Sequence, residues 1–305
     1  MRRRIEMLPA PAIERNGWPW TVETDPEVYS SRSDWPKLTV VTPSYNQAGF
    51  IEETIRSVLL QNYPNLEYVV FDGGSTDGSV DIIKKYSQWI NHWVSEKDDG
   101  QGSAINKGFG RGSGDLLAWL NSDDIYYQNA LKDMMTETIR FPDHVAYVAS
   151  CDKVDLEGRV ISTVVPRNLH AAGIADWHRS GFFYQPACFF RRSAFEQSGG
   201  INESYQNALD IDLWMRLAQI GSFRKVDAKV AHAKIHSDMK TLKYVPLRDA
   251  ETAAIALAFG YRDAALNRLN SYAKDYVRNQ ASARFLIKAL VGRIWSDARR
   301  MLSWR

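Results

Sequence analysis

The first half of the chain alternates short apolar runs with segments in which apolar residues recur at helical spacing. β-strands are predicted at 38–42, 66–71, 92–95 and 116–120. Helices are predicted between them, over 48–61 and 79–88. Strands that alternate with helices are typical of a sheet with parallel strands and right-handed crossovers. We therefore expect an α/β fold with a mostly parallel central sheet.

The strand at 116–120 leads directly into a polar cluster. Its five consecutive apolar residues are typical of a strand buried on both faces, and it is followed by Asn121, Ser122, Asp123 and Asp124. In open α/β sheets, ligands bind at this carboxyl edge. Adjacent carboxylates repel each other unless a cation or hydrogen-bond donors meet them, which favours a hard divalent metal. A solvated turn explains the same residues, because Asn, Ser and Asp all favour turns.

Two further polar loops, at 72–78 and 98–108, also follow predicted strands. The first places carboxylates, hydroxyls and glycines at the end of a strand, where glycine permits close approach of the backbone to a ligand. By itself, each loop also fits a turn followed by a capped helix. Neither the Gly-x-Gly-x-x-Gly fingerprint nor a P-loop occurs in the sequence, which disfavours dehydrogenase and P-loop chemistry.

Composition narrows the class of protein. The 305-residue chain is 45% apolar and 24% charged, and its formal charge of +2 gives no global argument for binding nucleic acid. Cys151 and Cys188 are too few for a disulfide framework and lack metal-ligand spacing, which suits a reducing cytosol. No segment fits a signal peptide or a membrane span. We expect a cytoplasmic protein that is at most peripheral at the inner face of the cell membrane.

Six motifs occur in an order that resembles one enzyme family. They are Thr42-Pro-Ser-Tyr-Asn46, Phe50-Ile-Glu-Glu-Thr-Ile-Arg-Ser-Val-Leu59, Asp72-Gly-Gly-Ser-Thr-Asp-Gly78, Asp98-Asp-Gly-Gln-Gly-Ser-Ala-Ile-Asn-Lys-Gly108, Leu120-Asn-Ser-Asp-Asp124 and Leu209-Asp-Ile-Asp-Leu-Trp-Met-Arg-Leu217. Over residues 38–241 the chain resembles the family 2 glycosyltransferases, of the kind that act in bacterial cell-envelope polysaccharide assembly. The resemblance implies the GT-A nucleotide-diphospho-sugar transferase fold and an inverting, metal-dependent hexosyltransferase.

On the donor side, the resemblance implies that the nucleotide is bound by Thr42, Pro43, Tyr45, Asp72, Lys107 and Ser122. Tyr45 would offer its ring to the base, Asp72 would accept a hydrogen bond from the base or ribose, and Lys107 would meet the diphosphate. A divalent metal, Mg²⁺ or Mn²⁺, would be held by Asp123, Asp124 and His236. Asn121 stands where relatives carry an aspartate. Because a neutral amide is the weaker ligand, Asp123 would carry most of the metal binding.

On the acceptor side, the resemblance implies that Asp210 is the catalytic base and that Asp212 acts as a helix cap or helix-dipole residue. Leu209 replaces a frequent acidic neighbour of the base. Gln185 and Lys240 are expected near the acceptor or the diphosphate. Gln185 also needs a hydrogen-bond partner, because it is a polar residue before a proline in an aromatic, apolar run.

The expected reaction transfers a sugar from a nucleotide-diphosphate donor, with UDP favoured, to a hydroxyl of a glycan or a lipid-linked saccharide. Two alternatives keep the fold. A sugar-1-phosphate nucleotidyltransferase usually carries a Gly-rich, basic loop after the first strand, where this chain has Pro43-Ser-Tyr-Asn-Gln-Ala-Gly49. A non-catalytic glycan-binding protein would need a broken site.

Three regions are predicted: an irregular arm over 1–36 packed by aromatics, a GT-A catalytic domain over 37–244 and a helical extension over 245–305. Helical spacing returns in the extension over 250–259, 262–277 and 283–304. The last of these segments has an apolar stripe and a basic opposite face. It fits a helix docked on the catalytic domain or on the second subunit of a homodimer, and it equally fits a helix lying on an anionic membrane.

Overall fold

A computed structural model describes residues 3–11, 15–177, 179–236, 239 and 244–279. Lys240 and the basic helical tail from 283 onward lie outside the described residues. The roles expected for them, contact with the diphosphate and docking on a membrane or a subunit, therefore stay predictions.

The strands of the described residues are β1 (Leu38–Ser44), β2 (Leu66–Asp72), β3 (His92–Ser95), β4 (Leu116–Trp119), β5 (Asp124–Tyr126), β6 (Ala146–Val154), β7 (Val160–Val164), β8 (Cys188–Arg191) and β9 (Phe223–Lys234). The helices are α1 (Arg4–Met7), α2 (Ile51–Leu59), α3 (Ser79–Tyr86), α4 (Gln101–Arg111), α5 (Ala130–Arg140), α6 (Ala171–Ala175), α7 (Arg192–Gln197), α8 (Leu209–Ile220), α9 (Val245–Ala258) and α10 (Arg262–Asn279). The four predicted strands and the two helices between them are therefore present, with ends shifted by a few residues.

All nine described strands form one sheet in the order β3-β2-β1-β4-β8-β6-β9-β5, with β7 paired to β6. The half that contains β3, β2, β1 and β4 is parallel, as expected from the alternation of strands and helices. The other half is mixed, because β8 runs antiparallel to both β4 and β6. The expected α/β class is confirmed, and the purely parallel arrangement is confined to the first four strands.

β1 and β4 lie at the centre of the sheet, and successive residues on each strand enter different cores. Leu117 and Trp119 pack into the core that contains α4 and α8, whereas Leu116 and Ala118 pack into the core that contains α2 and α5. This alternation explains the continuous apolar run, because a strand covered on both faces has no solvent side. Trp119 stacks on Trp214 with ring centroids 5.4 Å apart, which fixes α8 against the end of β4.

The N-terminal arm is packed against the domain by aromatic and hydrogen-bonding contacts. The indole of Trp18 donates to the backbone oxygen of Tyr126 at 2.7 Å. The buried guanidinium of Arg56 donates to the backbone oxygens of Pro19 and Trp20 at 3.0 and 2.9 Å. Within the described residues of the arm, 3–11 and 15–36, the chain is irregular apart from α1 and one short 3₁₀ turn. The predicted domain boundaries remain predictions.

The described part of the C-terminal extension packs on the domain through α9, which contacts α6 and α8. This helix begins at Val245, earlier than predicted, because Pro246 falls in its first turn, where proline is tolerated. No helix among the described residues is long and apolar enough to cross a membrane.

Candidate active site

Three loops meet at one edge of the sheet. They follow β1, β2 and β4, whose carboxyl ends are adjacent because the three strands are parallel neighbours. The first two loops are tied to each other. The side chain of Asn46 accepts from the backbone nitrogen of Thr76 at 2.9 Å, and the hydroxyl of Ser75 accepts from the backbone nitrogen of Asn46 at 2.7 Å. Asp77 adds a third link by accepting from the backbone nitrogen of Ala48 at 2.9 Å.

Asp72 lies at the base of the second loop and is almost completely buried. Its carboxylate accepts hydrogen bonds from the backbone nitrogens of Gly74 and Ser75, at 3.1 and 2.8 Å, and from the hydroxyls of Ser75 and Ser95, at 2.5 and 2.7 Å. These four bonds give Asp72 a structural role in shaping the loop. Its contact with a base or ribose stays a prediction.

The other residues predicted to bind the nucleotide differ in accessibility. Thr42, Pro43 and Ser122 are buried, and the hydroxyl of Thr42 is hydrogen-bonded to that of Tyr68 at 3.0 Å. The Tyr45 side chain is 64% exposed, which leaves its ring available for stacking. Lys107 is exposed, with its ammonium 4.0 Å from a carboxylate oxygen of Glu96.

The third loop brings Asp123 beside His236. Because β9 runs antiparallel to β5, with Ala233 opposite Asp124, the residues just after β9 return beside those just before β5. The carboxylate Oδ2 of Asp123 lies 3.1 Å from Nε2 of His236. The imidazole is stacked on Phe50, with ring centroids 4.8 Å apart and an interplanar angle of 27°. Phe50 therefore fixes the orientation of the ring that faces Asp123.

Asp124 has different surroundings from Asp123. Its carboxylate is buried and accepts from Nδ2 of Asn121 at 3.1 Å. Burial, together with the neighbouring charge of Asp123, raises the pKa of Asp124 well above its ordinary value. Asp123 contacts His236, whereas Asp124 contacts the side-chain amide of Asn121. The role of Asp124 as a second metal ligand stays a prediction, and this geometry does not favour it.

Asn121 holds the third loop through a network of amides. Its Oδ1 accepts from Nε2 of Gln101 at 2.8 Å, and its Nδ2 is 3.4 Å from Oε1 of Gln185. Gln185 in turn donates to the backbone oxygen of Trp119 at 2.7 Å. Gln185 therefore has the partner that its place in the sequence required. Asn121 uses its amide oxygen inside the protein, a role that the sequence reasoning missed along with Gln101.

Asp210 lies in the first turn of α8. Burial raises its pKa to about 6, and Oδ1 accepts from the backbone nitrogen of Ile211 at 2.9 Å. Asp212 points elsewhere and pairs with Arg216 at 2.6 Å. Asp212 makes no side-chain cap. It does lie in the first turn of α8, where a negative charge suits the helix dipole. Leu209 is buried in the apolar core.

The sequence pattern of the family described as "Glycosyl transferase family 2" matches residues 39–199, more than half of the chain. The chain belongs to this family. The matched segment contains the three loops and Asp123, and it ends before α8, so Asp210 and His236 lie beyond it.

Proteins similar in sequence to this chain include several named as glycosyltransferases. Chondroitin synthase of Escherichia coli is 24% identical over 217 residues, which cover 70% of this chain and 31% of that protein. The putative teichuronic acid biosynthesis glycosyltransferase TuaG of Bacillus subtilis is 36% identical over 107 residues, covering 34% of this chain and 42% of that protein. The chain thus spans less than half the length of either relative.

Solved structures share the fold of this family 2 glycosyltransferase. Staphylococcus aureus TarS 1–349 in complex with UDP-GlcNAc has a TM-score of 0.64 and 17% identity over 84% of this chain and 79% of that one. The mannosyltransferase PcManGT from Pyrobaculum calidifontis, in complex with GDP-Man and Mn²⁺, has a TM-score of 0.56 and 19% identity over 93% and 86%. These similarities confirm the expected GT-A fold.

The pair formed by Asp123 and His236 fits a divalent metal that is shared with a substrate. One carboxylate oxygen and one imidazole nitrogen converge, and no group of three or more His, Cys, Asp or Glu side chains that could hold a metal occurs in the part of the chain that the structure describes. A metal such as Mg²⁺ is commonly held by one or two carboxylates, with phosphate oxygens and water completing its coordination. The donors present therefore fit an ion whose remaining ligands come from a diphosphate.

Proposed function

We propose that this protein is an inverting glycosyltransferase that moves a sugar from a nucleotide-diphosphate sugar to a hydroxyl group. The observation that carries the proposal is the match to glycosyl transferase family 2 over more than half of the chain. Asp210, whose pKa burial raises to about 6, supports the assignment of the base. Such a carboxylate is ionised at neutral pH and is more basic than an ordinary aspartate, as a general base requires. Family membership favours sugar transfer over nucleotidyl transfer.

In the proposed reaction, Asp210 accepts the proton of the acceptor hydroxyl as that oxygen attacks the anomeric carbon. The bond from the anomeric carbon to the diphosphate oxygen breaks, and the configuration inverts in this single displacement. A divalent metal held by Asp123 and His236 would neutralise the leaving diphosphate when bound. Burial, and then the charge of Asp210, raise the pKa of the Cys188 thiol. Cys188 directly follows the turn at Gln185–Ala187, in which Gln185 contacts Asn121.

We infer that the donor carries a uridine nucleotide. The exposed ring of Tyr45 and the tied loops after β1 and β2 supply a surface for a base and a ribose. The complexes of TarS with UDP and with UDP-GlcNAc support a uridine nucleotide. The complex of PcManGT with GDP-Man makes a guanosine nucleotide the competing candidate. The lysine of the fourth motif, Lys107, stays the proposed contact for the diphosphate.

The proposed acceptor is a glycan or a lipid-linked saccharide of a cell-envelope polysaccharide. Two relatives, a chondroitin synthase and a putative teichuronic acid biosynthesis glycosyltransferase, support a polysaccharide product. The proposed place of action is the cytoplasmic face of the membrane.

The experiment that tests this function compares Asp210→Asn with the native protein. The donor is UDP-GlcNAc with Mn²⁺, and panels of nucleotide sugars and saccharide acceptors follow. A positioned base contributes about 10²-fold to 10⁴-fold, so the variant should lose that much turnover while it still binds UDP. Asp263→Asn, which removes an exposed carboxylate of α10, is the matched control and should keep native turnover. Native turnover by Asp210→Asn would contradict the proposal.

A further inference from the structure

Glu251 of α9 is fully buried, and its side chain contacts the backbone that leads into α8. Its carboxylate accepts hydrogen bonds from three consecutive backbone nitrogens, those of Gln206 at 3.1 Å, Asn207 at 2.7 Å and Ala208 at 2.9 Å. The last of these residues is only two positions before Asp210. A helix outside the segment matched to the family therefore holds the backbone that leads into the proposed base.

One of the three donors, the N–H of Ala208, belongs to the start of α8, and the other two lie in the segment just before the helix. The first backbone N–H groups of a helix have no acceptor within the helix. The residue at the cap position is Ala208, which has no side-chain acceptor, and α8 has no side-chain cap of its own. A carboxylate is well suited to this place, because its charge is opposite to the positive end of the helix dipole.

We propose that Glu251 is a positioning residue for the general base: its carboxylate fixes the backbone at 206–208 and, through it, the place of Asp210 at the acceptor. This inference rests on the proposed function. Three bonds from one rigid acceptor leave the start of α8 little freedom to shift. A displacement of about 1 Å at a reacting group costs on the order of 10²-fold in rate.

The same helix also surrounds Asp210 with charge of both signs. Arg248 and Glu251 of α9 both act on its carboxyl, and its own charge acts on the thiol of Cys188 at the start of β8. Burial has the largest effect on the pKa of Asp210 and raises it, Arg248 lowers this pKa, and Glu251 raises it further. The guanidinium of Arg248 also pairs with Asp249 at 3.0 Å, and Asp249 is bonded to Arg268 of α10 as well.

The first variant is Glu251→Gln, which keeps the volume of the side chain. The amide retains one acceptor oxygen, and its NH₂ group faces backbone donors that it cannot satisfy. We expect kcat to fall by about 10-fold to 100-fold, with the KM for the donor unchanged, because the donor loops follow β1 and β2. UDP affinity and Tm are measured alongside, so that a loss of folded protein is recognised. Asp263→Asn is the charge-matched control.

The second variant is Arg248→Gln, and the readout is the pH profile of kcat. Turnover falls as the pH drops through the pKa of the base, so the acid limb reports that pKa. Removing the negative charge of Glu251 should move the acid limb to lower pH. Removing the positive charge of Arg248 should move it to higher pH, while Asp249 keeps Arg268 as its partner.

Failure of this inference can be distinguished from failure of the proposed function. If Asp210→Asn keeps native turnover, the proposed function itself is wrong. If Asp210→Asn loses turnover and Glu251→Gln keeps the native kcat, Glu251 does not position the base. A lower kcat in Glu251→Gln with an unmoved acid limb would show only a general loss of structure and would also overturn the inference. Opposite movements of the limb in the two variants, with a lower kcat for Glu251→Gln, are the expected result.

Discussion

Asp123 and His236 lie 3.1 Å apart although 113 positions separate them in the sequence. They meet because β9 returns antiparallel to β5 and delivers the residues beyond its end to the loop after β4. Phe50, from the loop after β1, supports the imidazole from a third part of the chain. A metal held by these two residues would therefore link the loop after β4 to the end of β9, and these two segments meet only once β9 has paired with β5.

We predict that Asp123→Asn abolishes the stabilisation that Mn²⁺ adds to UDP binding. A ligand present at about 100 times its dissociation constant stabilises a protein by about 2.7 kcal/mol, which a thermal shift detects. The native protein should show a larger shift with UDP and Mn²⁺ than with UDP and a chelator, whereas the variant should show equal shifts.

Asp124→Asn is the comparison for that experiment. Asp124 faces Asn121 and not His236, so this variant should keep the metal-dependent part of the shift. If only the Asp124 variant lost it, the metal would be held by the buried carboxylate and the role given to Asp123 would be wrong.

We predict that Asp210→Asn is more stable than the native protein at pH 8. The pKa of Asp210 rises from 3.8 to about 6 on folding, so the native state binds this proton more tightly than the unfolded state. The stabilising effect of the protonated group is complete below about pH 4 and is lost as the pH rises through about 6. At pH 8 the difference in free energy of unfolding should be about 1 to 3 kcal/mol. Urea unfolding at pH 4 and pH 8 measures it, and the advantage of the variant should be absent at pH 4.

We predict that Gln185→Leu destabilises the protein and loosens the loop after β4. The substitution leaves the backbone oxygen of Trp119 without its donor and removes one contact of Asn121. An unsatisfied buried polar group costs about 1 to 3 kcal/mol. The free energy of unfolding in urea should fall by that amount, whereas Gln197→Leu, at an exposed position of α7, should have little effect. Equal stabilities of the two variants would contradict this role of Gln185.

We predict that Trp214→Ala costs about 3 to 5 kcal/mol of stability, because it opens a cavity beside Trp119 and releases α8. Trp214→Phe should cost much less. In the part of the chain that the structure describes, the indole nitrogen of Trp214 has no hydrogen-bond partner, so phenylalanine loses volume but no polar contact. Chemical denaturation separates the two variants, and a Phe variant as unstable as the Ala variant would show that the indole does more than fill space.

The sequence predicted the parallel half of the sheet well because its strands and helices follow one another along the chain. The apolar run at 116–120 and the helical spacing at 48–61 are local signals, and both elements were found close to their predicted places. The mixed half of the sheet was harder to predict from the sequence. Its central strand β6 pairs with β8 and β9, which lie far along the chain, and short-range periodicity carries no information about such partners.

The candidate site divides in the same way. Motif resemblance selected Asp123, His236 and Asp210, and the fold brings the first two together. The contacts of Gln101 with Asn121 and of Glu251 with the start of α8 are invisible in the sequence. Gln101 lies in one of the recognised motifs, which was the available signal. Glu251 lies in a segment for which the sequence predicted only a helix, and its role is recognisable only once its three backbone donors are seen.

The loop after β2 is fixed by the protein's own contacts, because the carboxylate of Asp72 accepts hydrogen bonds from two backbone nitrogens and two hydroxyls. The conformational entropy of this loop is therefore lost when the chain folds and not when a nucleotide arrives. A nucleotide that binds here keeps more of its contact energy as affinity. A loop fixed in this way would not rearrange to fit a base of a different shape, so such a base would bind more weakly.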